Sequence, residues 1–146
     1  MQSLEIVRAT GQAFYDALAS AKQTGSNMEG VDLYSAGEYD GMRCYLSADE
    51  LSGYAIKSDR TLISVFSTVR GRGDELVSSA VKNSAAKLDC FVSMSEDGEF
   101  SGPLWTLYTR YGFKIDTSIN AGGEYPIVNG VSKVEGEPSA VVYMTR

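Results

Sequence analysis

Histidine does not occur in this chain of 146 residues. Its absence removes imidazole acid–base chemistry, His-containing triads and the common zinc sites together. Cysteine is nearly as scarce. Only Cys44 and Cys90 are present, each inside a strand-like apolar run, so both read as small buried hydrophobes rather than a disulfide or a ligand pair. No apolar run approaches the length of a membrane span, and the opening MQSLEIVRATGQAF lacks the basic-then-apolar pattern of a signal. A cytoplasmic protein without a membrane partner is expected. Basic residues are in deficit, 13 against 19 acidic, for a net charge of -6. Nucleic acid normally meets a basic face, so that balance disfavours such a partner while leaving room for a local basic pocket.

What is present is ordinary globular composition, 43% apolar and 22% charged, enough to bury a core in one domain spanning residues 1–146. The chain is organised around Thr61–Lys87. An apolar run, Leu62–Phe66, meets a glycine-rich basic turn, Arg70-Gly71-Arg72-Gly73, and Leu76, Val77, Ala80, Val81 and Ala85 then share one helical face. Strand, glycine turn, helix is the reading. Glycines let a ligand approach the backbone, and the first N–H groups of the helix, with its dipole, favour a phosphate or pyrophosphate.

Elsewhere, a helix is expected over Leu4–Lys22, capped by Ser3, with Val7, Phe14, Leu18 and Ala21 on one face. Residues 23–30 read as a loop, Val31–Tyr34 as either a helical turn or a strand, and Gly37–Gly41 as a turn. Strands at Met42–Ser47, Gly53–Ser58 and Leu62–Phe66, joined through Ala48–Ser52 and Asp59-Arg60, predict an antiparallel meander. Leu88–Met94 is the next strand. A crossover helix between it and Leu62–Phe66 predicts a parallel pair, hence a mixed sheet with the glycine turn at a strand's carboxyl end. Pro103 suits the first position of a helix with Leu104, Leu107, Tyr108 and Tyr111 on one face and Gly112 ending it. Phe113–Ile115 resumes an extended pattern, Ala121–Pro138 reads as a long mobile loop or hairpin tip, and Ala140–Met144 as a final strand.

Leu107-Tyr108-Thr109-Arg110-Tyr111-Gly112-Phe113 resembles the L-Y-x-K/R-x-G-F segment of the Gcn5-related N-acetyltransferase (GNAT) superfamily. Val69–Gly73 resembles that family's pyrophosphate loop, R/Q-x-x-G-x-G/A, with Arg70 in the first place and Gly73 in the fourth. GYAI, LISVF, RGRGDELV, KLDCF and LYTRYGF together look like small acetyltransferase-like proteins of tailed bacteriophages. The resemblance covers roughly residues 41–115. It implies an α/β GNAT-like fold with a mixed, mostly antiparallel sheet flanked by helices, and acetyl-CoA as cofactor. Phe66, Ser67, Thr68, Val69, Arg70, Gly71, Arg72, Gly73, Asp74 and Arg110 would contact that cofactor. An N–H near Phe66 would serve as oxyanion donor, Tyr108 as general acid, and an amine on a small molecule or protein as acceptor.

Asp74 and Glu75 depart from the loop pattern. Either their carboxylates point away from the anion, or Asp74 caps the helix with Glu75 in its first turn. The general base is left among Glu50, Asp59 and a water chain. A phage-borne binding protein that docks on a host protein is the alternative function, and a homodimer stays open.

Overall fold

A computed structural model describes residues 4–24, 31–133 and 139–146. The chain divides into two compact units, Met1–Ala85 and Ala86–Arg146. In the first, β1 (Ile6–Ala9), β2 (Arg43–Ser47), β3 (Ser52–Ile56) and β4 (Leu62–Ser67) form an antiparallel sheet in that order. Helices α1 (Gly11–Thr24) and α2 (Ala36–Asp40) lie between β1 and β2 in sequence, and α3 (Gly73–Lys82) follows β4.

Strand β3 is buried along its whole length, because both faces of the sheet are covered there. On one face Cys44, Leu46, Ala55 and Phe66 pack with Phe14, Leu18 and Ala21 of α1 and Tyr39 of α2. Each large apolar side chain in that layer stabilises the unit by about 1.5–3 kcal/mol. On the other face Tyr54 stacks on Tyr45 at 5.0 Å, and its hydroxyl lies 2.6 Å from Ser79 Oγ of α3. Of the expected α3 stripe Leu76, Val77 and Ala80 are buried, Val81 is half-buried, and Ala85, though buried, lies past the end of the helix at Lys82.

The expected helix from Leu4 starts only at Gly11, where the Thr10 hydroxyl accepts a hydrogen bond from the Ala13 N–H at 3.1 Å. Ser3, the expected cap, lies outside the described residues. Ile6–Ala9 instead pairs with β2, Ile6 opposite Ser47 and Ala9 opposite Cys44. Ladder bonding of a segment holding β-branched Ile6 and Val7 outweighs its helical periodicity, so Val7 leaves the helix face and is exposed. Gln23 and Thr24 belong to α1 rather than to a loop, and residues 25–30 of that loop lie outside the described residues. Val31–Tyr34 is neither helix nor strand. Within the expected Gly37–Gly41 turn lies the short helix α2, whose Ser35 and Glu38 form a capping box.

The second unit holds β5 (Lys87–Met94), β6 (Phe100–Ser101), α4 (Pro103–Arg110), β7 (Lys114–Ile115), β8 (Val131–Lys133) and β9 (Ser139–Thr145). Its sheet runs β6-β5-β9-β7, with β8 also on β9. The expected parallel pair is not formed: every pairing among the described strands is antiparallel, and β5 lies along β9 from Lys87 opposite Thr145 to Ser93 opposite Ser139. Leu88, Cys90 and Val92 of β5 and Ala140, Val142 and Met144 of β9 are buried at alternate positions, so one face carries this core.

Pro103 opens α4, and Tyr111 with Gly112 (φ 89°) ends it as expected, but Tyr108 is the buried residue of this helix and Leu104 is exposed. The stretch Ala121–Pro138, expected to be a long mobile loop or hairpin tip, supplies β8, which pairs antiparallel with β9, and residues 134–138 lie outside the described ones. The chain leaves β9 at Asp116, whose N–H donates to Tyr143 O, and returns at Gly130, whose carbonyl accepts from Tyr143 N–H. Only glycine fits there, since φ is 82° and a Cβ would stand 2.4 Å from Asp116 O. No helix among the described residues is long and apolar enough to cross a membrane.

Burial pushes the Cys44 thiol up to about 11 and the Cys90 thiol up to about 12. Neither is therefore expected to react with a thiol–disulfide reagent at about pH 8 in the native state, and both should react once urea unfolds the chain. Labelling of either cysteine in the folded protein, read by mass spectrometry, would contradict the buried placement.

Candidate functional site

The connection from β4 to α3 is built from local hydrogen bonds. Thr68 N–H donates to Leu51 O at 2.9 Å, and Ser67 Oγ accepts from Val69 N–H at 3.0 Å. The chain then turns through Arg70 and Gly71, the latter at φ 85° with open space where a Cβ would stand. Arg70 is exposed. Arg72, not Asp74, is the N-cap of α3, at φ -92° and ψ -6°, and its side chain makes no capping hydrogen bond over the helix start. Asp74 and Glu75 both fall in the first turn. The Glu75 carboxylate accepts from the Leu4 N–H. An uncapped helix start on a glycine turn is a ready anion site, because its N–H groups and dipole point the same way.

The two arginines have different fates. Arg72 turns back onto the β2–β3 hairpin, where Nη2 donates to Asp49 Oδ2 at 2.6 Å and Nη1 to Asp49 Oδ1 at 3.0 Å. Nη1 also reaches Ser52 Oγ at 3.0 Å. Ser52 Oγ donates to Ser47 Oγ at 2.9 Å, and Ser47 Oγ donates to Asp49 Oδ1 at 2.6 Å. Ser47 and Ser52 are 1% and 0% exposed, so the inner end of the cluster is buried in the sheet, while Asp49 is exposed on the hairpin turn. The sequence reading placed the Arg72 cation in the turn for the anion; its charge is instead neutralised by Asp49. That pairing, then the Ser47 hydroxyl, holds the Asp49 carboxyl well below the usual carboxylate range.

The N–H of Phe66 is not the outward donor. Phe66 lies opposite Gly53, and the bond from Thr68 N–H to Leu51 O fixes the parity of the ladder. Alternation then turns the Phe66 N–H toward β3 and the Val65 and Ser67 N–H groups away from it. The Phe66 ring is core, edge-on to Phe14 at 5.7 Å. Ser64, a polar residue of the strand, has φ 54° at the irregular part of the β3–β4 ladder. Its Oγ donates to Asp32 O at 2.9 Å and shares a 2.9 Å hydrogen bond with the Tyr39 hydroxyl, tying the segment before α2 onto β4.

A cleft of about 490 Å³ opens between α1 and the hairpin, lined by Ala13, Asp16, Ser20, Thr24, Glu50 and Thr68 among others. Among the described residues no basic side chain lines it. Glu50 holds φ 60° at the hairpin turn. Asp59 lies in the β3–β4 turn at the other end of the sheet, where its carboxylate accepts from Thr61 N–H at 3.0 Å. Of the two carboxylates considered as base, only Glu50 is on the loop side.

Tyr108 belongs to the second unit, where its ring meets Phe113 edge-on at 5.9 Å. Burial, with smaller effects of Cys90 and Asp89, raises its phenol far above the ordinary value. Arg110 is exposed in the last turn of α4. Phe66 through Asp74 run continuously from the end of β4 through the turn into the first residues of α3, whereas Tyr108 and Arg110 sit on α4. The sequence reading missed Asp49, Ser47 and Ser52; a turn-forming Asp between two serines was the only local signal. Among the described residues no group of acidic or Cys side chains is arranged to hold a metal ion.

The Asp49–Arg72 pair makes a pH prediction. A carboxyl whose folded pKa lies below its unfolded value of about 3.9 stabilises the fold fully above that value, and the contribution disappears as pH falls through the folded pKa. Asp49→Asn should lower the urea midpoint by a constant amount from about pH 5 upward, and the two proteins should converge as pH drops below about 4. A gap that persists undiminished into acid would contradict the pairing.

No protein-family model matches the chain, and no curated protein matches its sequence. Among solved structures, an acetyltransferase from Bacillus subtilis in complex with CoA is similar with a TM-score of 0.43 and 19% identity over 98% of each chain. The ribosomal-protein-alanine N-acetyltransferase from Brucella melitensis is similar with a TM-score of 0.50 and 16% identity, over 98% of this chain and 99% of that one. The fold of this chain, antiparallel sheets flanked by helices, is therefore the GNAT-like acetyltransferase fold.

Proposed function

We propose that the chain is an acetyl-CoA-dependent N-acetyltransferase, a single GNAT-like domain that transfers an acetyl group to a primary amine of a small molecule or protein. The observation that carries this reading is the start of α3, whose N-cap residue Arg72 makes no side-chain capping bond and which is reached through a left-handed glycine. The donor set fits a diphosphate: several main-chain N–H groups converge, Arg70 is exposed, and the Glu75 carboxylate is engaged by Leu4. The name of the Brucella structural neighbour adds N-acetyl transfer to an amine as the chemistry this fold performs there.

Acetyl-CoA, when bound, supplies an acetyl group already activated as a thioester. The chain's own residues do the rest. Arg70–Gly73 would hold the diphosphate, the outward N–H groups of Val65 and Ser67 would be donors for a carbonyl oxygen, and Tyr108 would be the proton donor for a leaving sulfur. The carboxylates of Asp16 and Glu50 make the cleft beside α1 favourable for an ammonium-bearing acceptor.

Acetyl-CoA should raise the melting temperature, and Arg70→Glu should weaken its binding about tenfold by reversing charge at the diphosphate, as read by calorimetry. Unchanged affinity in Arg70→Glu would count against the loop. A thermal shift without thiol release on a panel of amines would favour a phage-type binding protein that docks on a host protein.

Tyr108→Phe separates catalysis from binding. It should lower kcat about 10²–10³-fold with the Kd for CoA unchanged, since only the proton is removed. Because burial raises the phenol, the wild-type rate should not fall on the alkaline side below about pH 10. A fall nearer neutrality, or full activity in Tyr108→Phe, would exclude this tyrosine as the proton donor.

A further inference from the structure

We infer that Asp49 and Arg72 form a strut that positions the anion loop, and that the Arg72 guanidinium, unlike the main chain around it, is not itself a ligand of the anion. This rests on the cofactor reading above. Arg72 is the N-cap residue of α3, a place where Ser, Thr, Asp or Asn normally folds its side chain over the first N–H groups. Such a cap would steady the helix by occupying donors that an anion needs. Arg72 steadies the same residue from the other side, through its guanidinium, and leaves the helix start uncapped.

The anchor is built for that task. The guanidinium is held by both oxygens of Asp49 and by Ser52 Oγ, with Ser47 Oγ closing the ring of hydrogen bonds. A planar fork on a carboxylate fixes direction as well as distance, which a lysine ammonium does not. The footing is firm, since both serines are buried in the sheet. The hairpin is also joined to the loop by the backbone, where Leu51 O accepts from Thr68 N–H at 2.9 Å and from Thr68 Oγ1 at 3.1 Å. The loop is thus held to the hairpin at both of its ends, Thr68 and Arg72, with Arg70 and Gly71 spanning the interval. With Arg72 neutralised, the charge offered to an anion comes from Arg70 and the helix start.

The competing idea is that Arg72 is a phosphate cation parked on Asp49 until a ligand arrives. The two make opposite predictions for Asp49→Asn and Arg72→Lys. A strut loses its bidentate fork in both variants, so both should raise the Kd for CoA about five- to tenfold, raise KM for acetyl-CoA with kcat unchanged, and in combination cost no more than either alone. A parked cation would be released by Asp49→Asn, which would then bind CoA as tightly as wild type or more tightly, and Arg72→Lys would keep its affinity through its charge.

The decisive readout in the ligand-free protein is hydrogen exchange of the Arg70–Leu76 amides. It should quicken about tenfold in Asp49→Asn and in Arg72→Lys while exchange in β5 and β9 stays as in wild type. Unchanged loop exchange, or equal or tighter CoA binding in Asp49→Asn, overturns the strut. Failure of the wild-type protein to bind CoA would instead overturn the cofactor reading, and the exchange measurement would still decide whether Asp49 positions the loop.

Discussion

The pairing of Arg72 with Asp49 ties down the residue at which α3 begins without a side chain of that residue folding over the helix start. The first N–H groups of a helix lack partners within it, and a side-chain cap that satisfies them stabilises a helix by about 0.5–2 kcal/mol. The same cap would exclude the ligand. Here the N-cap residue is tied down by a guanidinium that reaches away from the helix axis and onto the sheet. Order at the helix start is obtained without filling it. The buried serines beneath the pair make this possible, since they satisfy the remaining polar atoms where water does not reach.

The sheet of the first unit explains why the anchor can be trusted to stay in place. Strand β3 is covered on both faces, by α1 and α2 on one side and α3 on the other, so the hairpin that bears Ser47, Asp49 and Ser52 springs from the most buried part of the unit. A loop attached to that hairpin inherits its rigidity. The cleft beside α1 shares the same hairpin through Glu50, adjacent to Asp49. Residues that hold the loop and residues that line the cleft therefore belong to one short turn.

What was legible in the sequence is what burial writes into it. The apolar run LISVF, the helical stripe of Leu76, Val77 and Ala80, and the period-two pattern of LDCFVSM each name their element, because each packs a face against a core. Gly71 was legible for a different reason, as a backbone position open to φ above zero. What was not legible depends on partners far along the chain. Strand β1 exists because β2, beginning at Arg43, offers it an edge, and the antiparallel course of β5 is set by β9, beginning at Ser139. Asp49 and Arg72 stand 23 residues apart, and neither residue alone announces the other. Helix α2 was a different kind of miss, since the Ser35-to-Glu38 spacing of its capping box was in plain view.

The chain also handles protons in a consistent way. Without histidine it has no side chain whose ordinary pKa lies near neutrality. Among the described residues the shifted groups move further from that range: Cys44, Cys90, Tyr39, Tyr54 and Tyr108 upward through burial, Arg72 upward through Asp49, Asp49 downward through Arg72, and Asp116 downward through Ser118. These groups hold fixed protonation states across the physiological range. The pH response of the chain is therefore placed at the two extremes, in the acid range where the Asp49 anchor is protonated and in the alkaline range where the buried phenols ionise. Between them the anion loop and the charge around it stay constant.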